Sequence, residues 1–146
     1  MRLAAGHPYT ATEDDSCNTV SGTVTITAIK TTTTAGDGSG TPPANKYYVI
    51  ATIAVKATTN FQISDIDFSA VSNGVPYPED NGNSSDAIAN SNSDLSTIVN
   101  NSTSSGVGIT VNPGAKLTAD LLFDVPSAHG AIVYTPCQEP AAEWGY

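Results

Sequence analysis

Asp124, Ser127 and His129, near the C-terminal end of the chain, are the residue types that a serine hydrolase uses. A hydrolase needs them to meet at one point, with the serine on a strained turn between a strand and a helix. Here they lie too close together in sequence to be assigned triad geometry, and no nucleophile-elbow motif surrounds Ser127. The pattern therefore favours a Ser/His turn between two strands. A glycosidase-type pair among the few glutamates stays open, because the distance between two carboxylates is a property of the fold.

An acidic run at Glu79 and Asp80, followed by Asn81, Gly82, Asn83 and then Asp86, supplies hard oxygen donors within one loop. Calcium prefers such donors. The spacing does not match the EF-hand loop pattern. Two interpretations remain, a structural calcium site that uses Glu79, Asp80 and Asp86, and a solvated loop that binds no ion. No other cofactor is expected.

The two cysteines, Cys17 and Cys137, stand near opposite ends of the chain. Chain termini often lie close together in compact domains, which makes a disulfide between them plausible. Closing that loop of ~120 residues would stabilise the fold by roughly 4–5 kcal/mol in the chain-entropy model. Two independent buried thiols are the alternative. The disulfide interpretation predicts an oxidising, extracellular compartment, although residues 1–6 lack the apolar core of a signal peptide.

Charge and length exclude several classes of function. The 146-residue chain has a net charge of −9, from 14 acidic and 5 basic residues. Nucleic acid and anionic membrane surfaces both require clustered Lys and Arg, so neither is an expected partner. No apolar run approaches the ~18 residues of a transmembrane helix, so no membrane span is expected. The length is that of one domain.

Residues 111–126 contain the clearest strand of the chain, which follows a Pro113-Gly114 turn and ends at Pro126. Alternate residues on a strand point to opposite faces. One face is apolar and consists of Leu117, Ala119, Leu121, Phe123 and Val125. The other consists of Thr118, Asp120, Leu122 and Asp124. This alternation predicts a half-buried strand with one face in water.

Other segments also have strand patterns. Residues 20–29 alternate, with one face formed by Val20, Val24, Ile26 and Ala28. Residues 47–57 are apolar on both faces, which predicts a central strand. The apolar parity switches near Ser64, which predicts a bulge or a crossing between sheets. Asn73-Gly74 is a strong hairpin signal, and further strands are expected at 107–111 and 131–135.

These patterns predict an all-β fold, an immunoglobulin-like antiparallel β-sandwich of about seven strands. The sandwich is expected over residues 20–146, after an irregular N-terminal arm at 1–19. Two long polar connections, 31–45 and 79–105, join its strands, and the second has room for a short helix at 85–90.

The order of features resembles a family of secreted bacterial domains with an immunoglobulin-like sandwich, typified by the mycobacterial immunoprotective extracellular antigens. The matching residues are Phe68, Asn73-Gly74-Val75-Pro76-Tyr77, Pro113-Gly114, Leu121-Leu122-Phe123-Asp124-Val125-Pro126 and Trp144. The chain departs from the family pattern at Asn73, at Ala119 and in an enlarged Asn/Ser-rich stretch. The resemblance implies export from a bacterium, and it supplies no catalytic residues.

The sequence thus predicts a secreted, non-catalytic, antigen-like protein that binds a protein or a cell-surface partner through its loops. Tyr47, Tyr77 and Trp144 are the candidate aromatic residues of the binding surface. Two alternatives stay open. One is a hydrolase or metal-dependent enzyme with a site built on loops, and the other is a structural domain of a cell-envelope protein.

Overall fold

A computed structural model describes residues 1–11, 21–34, 41–80, 94–102 and 108–146 of the chain. Almost all regular structure in these ranges is β-strand. The strands are β1 (Arg2–Leu3), β2 (Pro8–Ala11), β3 (Gly22–Thr32), β4 (Tyr47–Ala57), β5 (Phe61–Ile63), β6 (Phe68–Ser72), β7 (Val75–Pro78), β8 (Ile109–Val111), β9 (Lys116–Val125), β10 (Ala131–Tyr134) and β11 (Ala142–Gly145). The helix α1 spans Leu95–Ser102, and short 3-10 helices span Asp65–Asp67 and Pro136–Gln138.

The strands form two main sheets and one small pair. The four-stranded sheet has the order β2-β3-β4-β9, the five-stranded sheet has the order β1-β11-β10-β6-β7, and β5 pairs with β8. Neighbouring strands are antiparallel except for β1, which runs parallel to β11. The all-β sandwich expected from the sequence is confirmed, with more strands in the described ranges than the seven expected.

One hydrophobic core lies between the two main sheets. Its largest fully buried members come from both main sheets, from β5 of the small pair and from α1, and they are Ile26, Ile53, Phe61, Ile63, Phe68, Leu95, Leu121, Phe123, Tyr134 and Trp144. Burial of apolar surface on this scale is the main favourable term in folding. On β9, the alternation in the sequence identifies the face that is turned to the core.

Strand β4 has the predicted bounds and the predicted central position, because it pairs with β3 on one side and β9 on the other. Its neighbour β3 departs from the predicted alternation. The register of β3 shifts between Ile26 and Ala28, and Ala28 is exposed while Ile29 packs against the core. The extra residue of a bulge reverses the direction of the side chains that follow it.

The predicted crossing near Ser64 is confirmed. Strand β5 belongs to the small pair, a 3-10 helix follows it, and β6 then enters the five-stranded sheet. Asn73 and Gly74 form the predicted hairpin turn between β6 and β7, with φ angles of 52° and 79°. Positive φ at both central positions is the mark of a type I′ turn, which is why Asn-Gly suits it.

The N-terminal segment is not the irregular arm that the sequence predicts. In its described part, residues 1–11, β1 joins the five-stranded sheet and β2 joins the four-stranded sheet. The indole Nε1 of Trp144 donates a hydrogen bond of 2.9 Å to the carbonyl oxygen of His7, and the Trp144 side chain is fully buried. The segment is thereby fixed to the last strand of the domain.

Candidate functional site: the loop-covered edge of β9

The outer face of β9 is not the wet face that its alternation predicts. Strand β9 lies at the edge of its sheet, yet Asp120, Leu122 and Asp124 on the outer face are all buried. The alternation correctly identified which residues share a face. The prediction that this face is exposed to water was wrong, because other parts of the chain cover it. We call this region, centred on Asp120, Leu122 and Asp124, the covered edge.

Asp124 holds the end of the first polar connection. Its two carboxylate oxygens accept hydrogen bonds from the backbone N–H groups of Ala44 and Asn45, at 2.6 and 2.8 Å. The side-chain amide of Asn45 also donates to the carbonyl oxygen of Asp124 at 3.2 Å. Hydrogen bonds to a charged carboxylate are among the stronger ones in proteins. Residues 44 and 45 are therefore firmly attached to β9.

Leu122 holds the beginning of the second polar connection through its backbone. Its carbonyl oxygen accepts a 2.8 Å hydrogen bond from the N–H of Asp80, and its N–H donates a long 3.4 Å bond to Oε1 of Glu79. The Leu122 side chain packs with Tyr48 and Ile50 of β4 in a small outer cluster. The Tyr48 hydroxyl donates to the carbonyl oxygen of Thr41 at 2.8 Å, so residue 41 also covers this face.

Asp120 contacts the beginning of α1. It forms a parallel bridge with Asp94, and its Oδ1 accepts a 2.7 Å hydrogen bond from the Thr52 hydroxyl on β4. The residue is completely buried, and its second oxygen, Oδ2, has no hydrogen-bond partner in the part of the chain that the structure describes. A buried carboxylate oxygen without a partner is costly and calls for a proton, a water or a cation.

Asp94 caps helix α1. Its Oδ2 accepts hydrogen bonds from the Ser96 hydroxyl and from the backbone N–H of Thr97, the latter at 3.4 Å, and its carbonyl oxygen accepts from Ile98. Such a cap satisfies N–H groups that the first turn of a helix leaves unpaired. The helix is fixed to the core by two buried residues one turn apart, Leu95 and Val99.

Glu79 is half-buried and lies against Asp94. Burial is the largest of the effects that raise the pKa of Glu79 from 4.5 to about 10. A hydrogen bond with Asp94 and the negative charges of Asp94 and Asp65 raise it further, and the N–H of Leu122 acts in the opposite direction. Glu79 therefore keeps its proton at neutral pH and shares it with Asp94. Glu79, Asp94 and Asp120 together are called the carboxyl cluster below.

The chain offers the carboxyl cluster no positive charge. All five Lys and Arg residues fall within the described ranges, and none of them forms an ion pair with Glu79, Asp94 or Asp120. The ion pair found in these ranges joins Arg2 and Glu143 at 3.6 Å, on the five-stranded sheet. Within the same ranges, no three His, Cys, Asp or Glu side chains converge so as to hold a metal ion.

The structure brings together only part of the predicted calcium site. Glu79 belongs to the carboxyl cluster, Asp80 binds β9 through its backbone, and Asp86 lies outside the described residues. Sequence reasoning missed Asp94 and Asp120. A capping residue just before an apolar pair with helical spacing could have indicated Asp94, and an apolar Leu122 on a supposedly wet face could have indicated that β9 is covered.

The hydrolase candidates do not form a triad. Both oxygens of Asp124 are engaged by the backbone of residues 44 and 45, as described above. The backbone N–H of His129 donates to the Ser127 hydroxyl at 3.2 Å, which is a local turn. The His129 side chain instead lines a shallow groove of about 390 Å³ that also includes Arg2 and Glu143.

The three aromatic candidates do not form one surface. Trp144 is fully buried, so it is not available to a partner, and its inclusion was wrong. Tyr47 is half-buried at the start of β4, with the Nζ of Lys46 5.4 Å from its ring centre. Tyr77 is half-buried on β7, in the other sheet.

The structure describes only one cysteine of the predicted disulfide, Cys137, because Cys17 lies outside the described residues. Cys137 lies in the second 3-10 helix with a φ of 55°, and the described part of the chain contains no free thiol. The pairing of Cys17 with Cys137 stays a prediction. The proposed short helix at 85–90 also falls outside the described residues.

The fold and the covered edge define a β-sandwich protein in which Asp94, Asp120 and Asp124 are buried at one edge strand. No protein-family model and no curated protein matches the chain. Among solved structures, it is similar to MPT63, a secreted protein from Mycobacterium tuberculosis. The TM-score is 0.66 at 19% sequence identity, over 100% of this chain and 97% of that chain.

A second similar structure is the yjhA protein from Bacillus subtilis. The TM-score is 0.58 at 15% identity, over 94% of this chain and 83% of that chain. At these identities the two likenesses show the fold alone. In the described part of the chain, no helix is long and apolar enough to cross a membrane.

Proposed function

We propose that the chain is an exported, non-catalytic protein that binds a protein or cell-surface partner through the two polar connections, 31–45 and 79–105, that are attached to the covered edge. The observation that carries this proposal is that both long polar connections are attached to the same strand. Asp124 holds residues 44 and 45, Leu122 holds residue 80, and Asp120 lies beside Asp94. Loops placed by a rigid sheet are the usual carriers of recognition in sandwich proteins.

Three features support export. The fold is similar to that of a secreted protein, the chain has one cysteine near each end, and only 13% of its residues are charged. Membership in the family of mycobacterial immunoprotective extracellular antigens belongs to the same proposal. Detection of the chain in culture supernatant of the organism that encodes it would test export, and retention in the cytoplasm would contradict it.

The binding proposal is best tested with two matched charge reversals. Lys46 is exposed beside the covered edge, whereas Lys56 is exposed at the far end of β4. We expect saturable binding of the labelled protein to intact cells, weakened at least about tenfold by Lys46→Glu and changed less than about twofold by Lys56→Glu. Absence of saturable binding, or equal effects of the two variants, would contradict the proposal.

Turnover assays on the same protein distinguish binding from catalysis. Glu79 and Asp94 are the arrangement nearest to an acid/base pair in the described structure, but Oε2 of Glu79 and Oδ1 of Asp94 are buried. We therefore expect no turnover of ester, peptide or glycoside substrates. Turnover that Glu79→Gln or Asp94→Asn abolishes would favour the enzyme alternative.

A further inference from the structure

The groove that His129 lines lies on the outer face of the five-stranded sheet, away from the covered edge. Ile132 on β10 and Trp144 on β11 face the core. Their neighbours Ala131 and Glu143 therefore point to the opposite face of the sheet. Ala131 is nevertheless only 7% exposed, although it is not among the core residues. The groove is thus a concave site of about 390 Å³, within the size range of small-ligand pockets.

Tyr146 forms one wall of the groove, and its position is fixed. Its backbone N–H and carbonyl oxygen exchange hydrogen bonds of 2.9 and 3.0 Å with Gly130. A Cβ on Gly130 would lie 2.6 Å from the Tyr146 hydroxyl oxygen and would also meet the carbonyl oxygen of Val71. Glycine permits this close approach because it has no side chain. Together with Val71 and Ala131, the Tyr146 ring offers a small ligand a fixed apolar surface.

An accessible ion pair lies in the same groove. The Nε of Arg2 is 3.6 Å from Oε1 of Glu143, and the two side chains are 74% and 39% exposed, so a solute can reach both. The Nη2 of Arg2 lies above Gly145 of β11, 3.7 Å from the position that a Cβ would take there. A guanidinium has five N–H donors and a carboxylate has about four acceptor positions. One long contact therefore leaves most of the hydrogen-bonding capacity of both groups free.

From this arrangement we propose that the groove binds a small zwitterion, an α-amino acid with an apolar side chain. Arg2 binds the carboxylate of the ligand and Glu143 binds its ammonium group. An α-amino acid carries both charges on one carbon atom, so it can lie alongside the ion pair with opposite charges facing each other. A ligand with one charge would be attracted by one partner and repelled by the other.

The apolar side chain of the ligand then lies on Val71 and Ala131, beside the ring of Tyr146. This site belongs to the five-stranded sheet, whereas the two polar connections are attached to β9 of the four-stranded sheet. The inference is therefore independent of the proposed binding of a protein or cell-surface partner.

A titration followed by NMR of the nitrogen-15-labelled protein tests the proposal, with L-phenylalanine as the probe. We expect saturable shifts of the backbone amides of Ala131, Glu143 and Gly145, with a dissociation constant on the order of 1 mM. N-acetyl-L-phenylalanine lacks the ammonium group, and L-phenylalanine amide lacks the carboxylate. Each of these two probes should bind at least about fivefold more weakly, with the amide measured below the pKa of its amino group.

Two variants separate the two charges. Arg2→Gln should weaken the binding of L-phenylalanine at least about fivefold without weakening that of the amide. Glu143→Gln should weaken the binding of L-phenylalanine by a similar factor without weakening that of the N-acetyl derivative. A variant that had merely lost the shape of the groove would bind all three probes less well. The matched control is Lys56→Gln, an exposed position on the other main sheet, which should change each affinity by less than about twofold.

Three results would overturn the proposal. One is the absence of saturable shifts up to about 20 mM L-phenylalanine, well above the expected dissociation constant. Another is equal affinity for the three probes, which would show that the groove recognises the aromatic ring alone. The third is L-phenylalanine binding that Arg2→Gln and Glu143→Gln leave intact, which would place the ligand elsewhere on the protein.

Discussion

Asp94 and Asp120 are bridge partners, although one caps a helix and the other lies in the middle of a strand. Their backbones run parallel there, and Oδ2 of Asp120 is buried with no hydrogen-bond partner among the described residues. This one contact links α1 to the outer face of the four-stranded sheet. It explains why the edge strand β9 is buried on both faces, and it sets the position of the carboxyl cluster.

The cap on α1 gives a direct test of the Asp94 contact. Asp94→Ala removes the acceptor for the Ser96 hydroxyl and the Thr97 N–H, so we expect the free energy of unfolding to fall by about 1–2 kcal/mol. Asp94→Asn should lower the free energy of unfolding much less, because Asn is also a good helix N-cap. Urea denaturation at neutral pH measures both. Asn100→Ala, on an exposed position of α1, is the control and should change stability by less than about 0.5 kcal/mol.

The contact between Asp124 and the first polar connection predicts a local effect. Asp124→Ala leaves the N–H groups of Ala44 and Asn45 without their carboxylate acceptor, and we expect a loss of about 1–3 kcal/mol in the free energy of unfolding. The amides of residues 44 and 45 should also exchange with solvent faster. Thr118→Ala, on an exposed position of the same strand face, should affect neither measurement.

The raised pKa of Asp67 predicts that the stability of the fold depends on pH. Burial, with a smaller effect from the charge of Asp65, raises the pKa of Asp67 from 3.8 to about 6, and the N–H of Ser64 opposes this. The folded protein thus holds the proton more tightly than the unfolded chain does. This contribution to stability is complete below about pH 4 and is lost as the pH rises through about 6.

Comparison with Asp67→Asn isolates that contribution. Between about pH 4 and pH 7, the free energy of unfolding of the unsubstituted protein should fall by on the order of 2 kcal/mol more than that of the variant. This figure allows for the partial exposure of the Asp67 side chain. Chemical denaturation at a series of pH values measures the difference. Parallel curves for the two proteins would show that Asp67 titrates normally in the fold.

The pairing of Cys17 with Cys137 has its own test. Titration of the unfolded, unreduced protein with a thiol reagent should find no free thiol, and finding two would show that both cysteines are reduced. If the disulfide forms, the free energy of unfolding of the double variant Cys17→Ser/Cys137→Ser, measured by chemical denaturation, should be lower by up to roughly 4–5 kcal/mol. The reason is that the closed loop of ~120 residues restricts the unfolded chain.

Strand positions and turns could be predicted because their causes are local. The apolar residues on both faces of β4 gave its bounds and its central position, and Asn73-Gly74 gave the hairpin turn. Steric limits on φ and the two-residue period of a strand act within a few residues, so the sequence carries them directly. The bulge between Ile26 and Ala28 is an exception, because only the pairing of β3 with β4 shows where the register shifts.

What covers each face was decided by the tertiary structure. The alternation on β9 assigned Asp120, Leu122 and Asp124 to one face, but it could not show that residues 41–45, 79–80 and 94 cover it. Local periodicity tells which side chains share a face, whereas burial depends on chain that arrives from elsewhere. Glu79, Asp94 and Asp120 are far apart in sequence, and only folding brings the first two against the strand that carries the third.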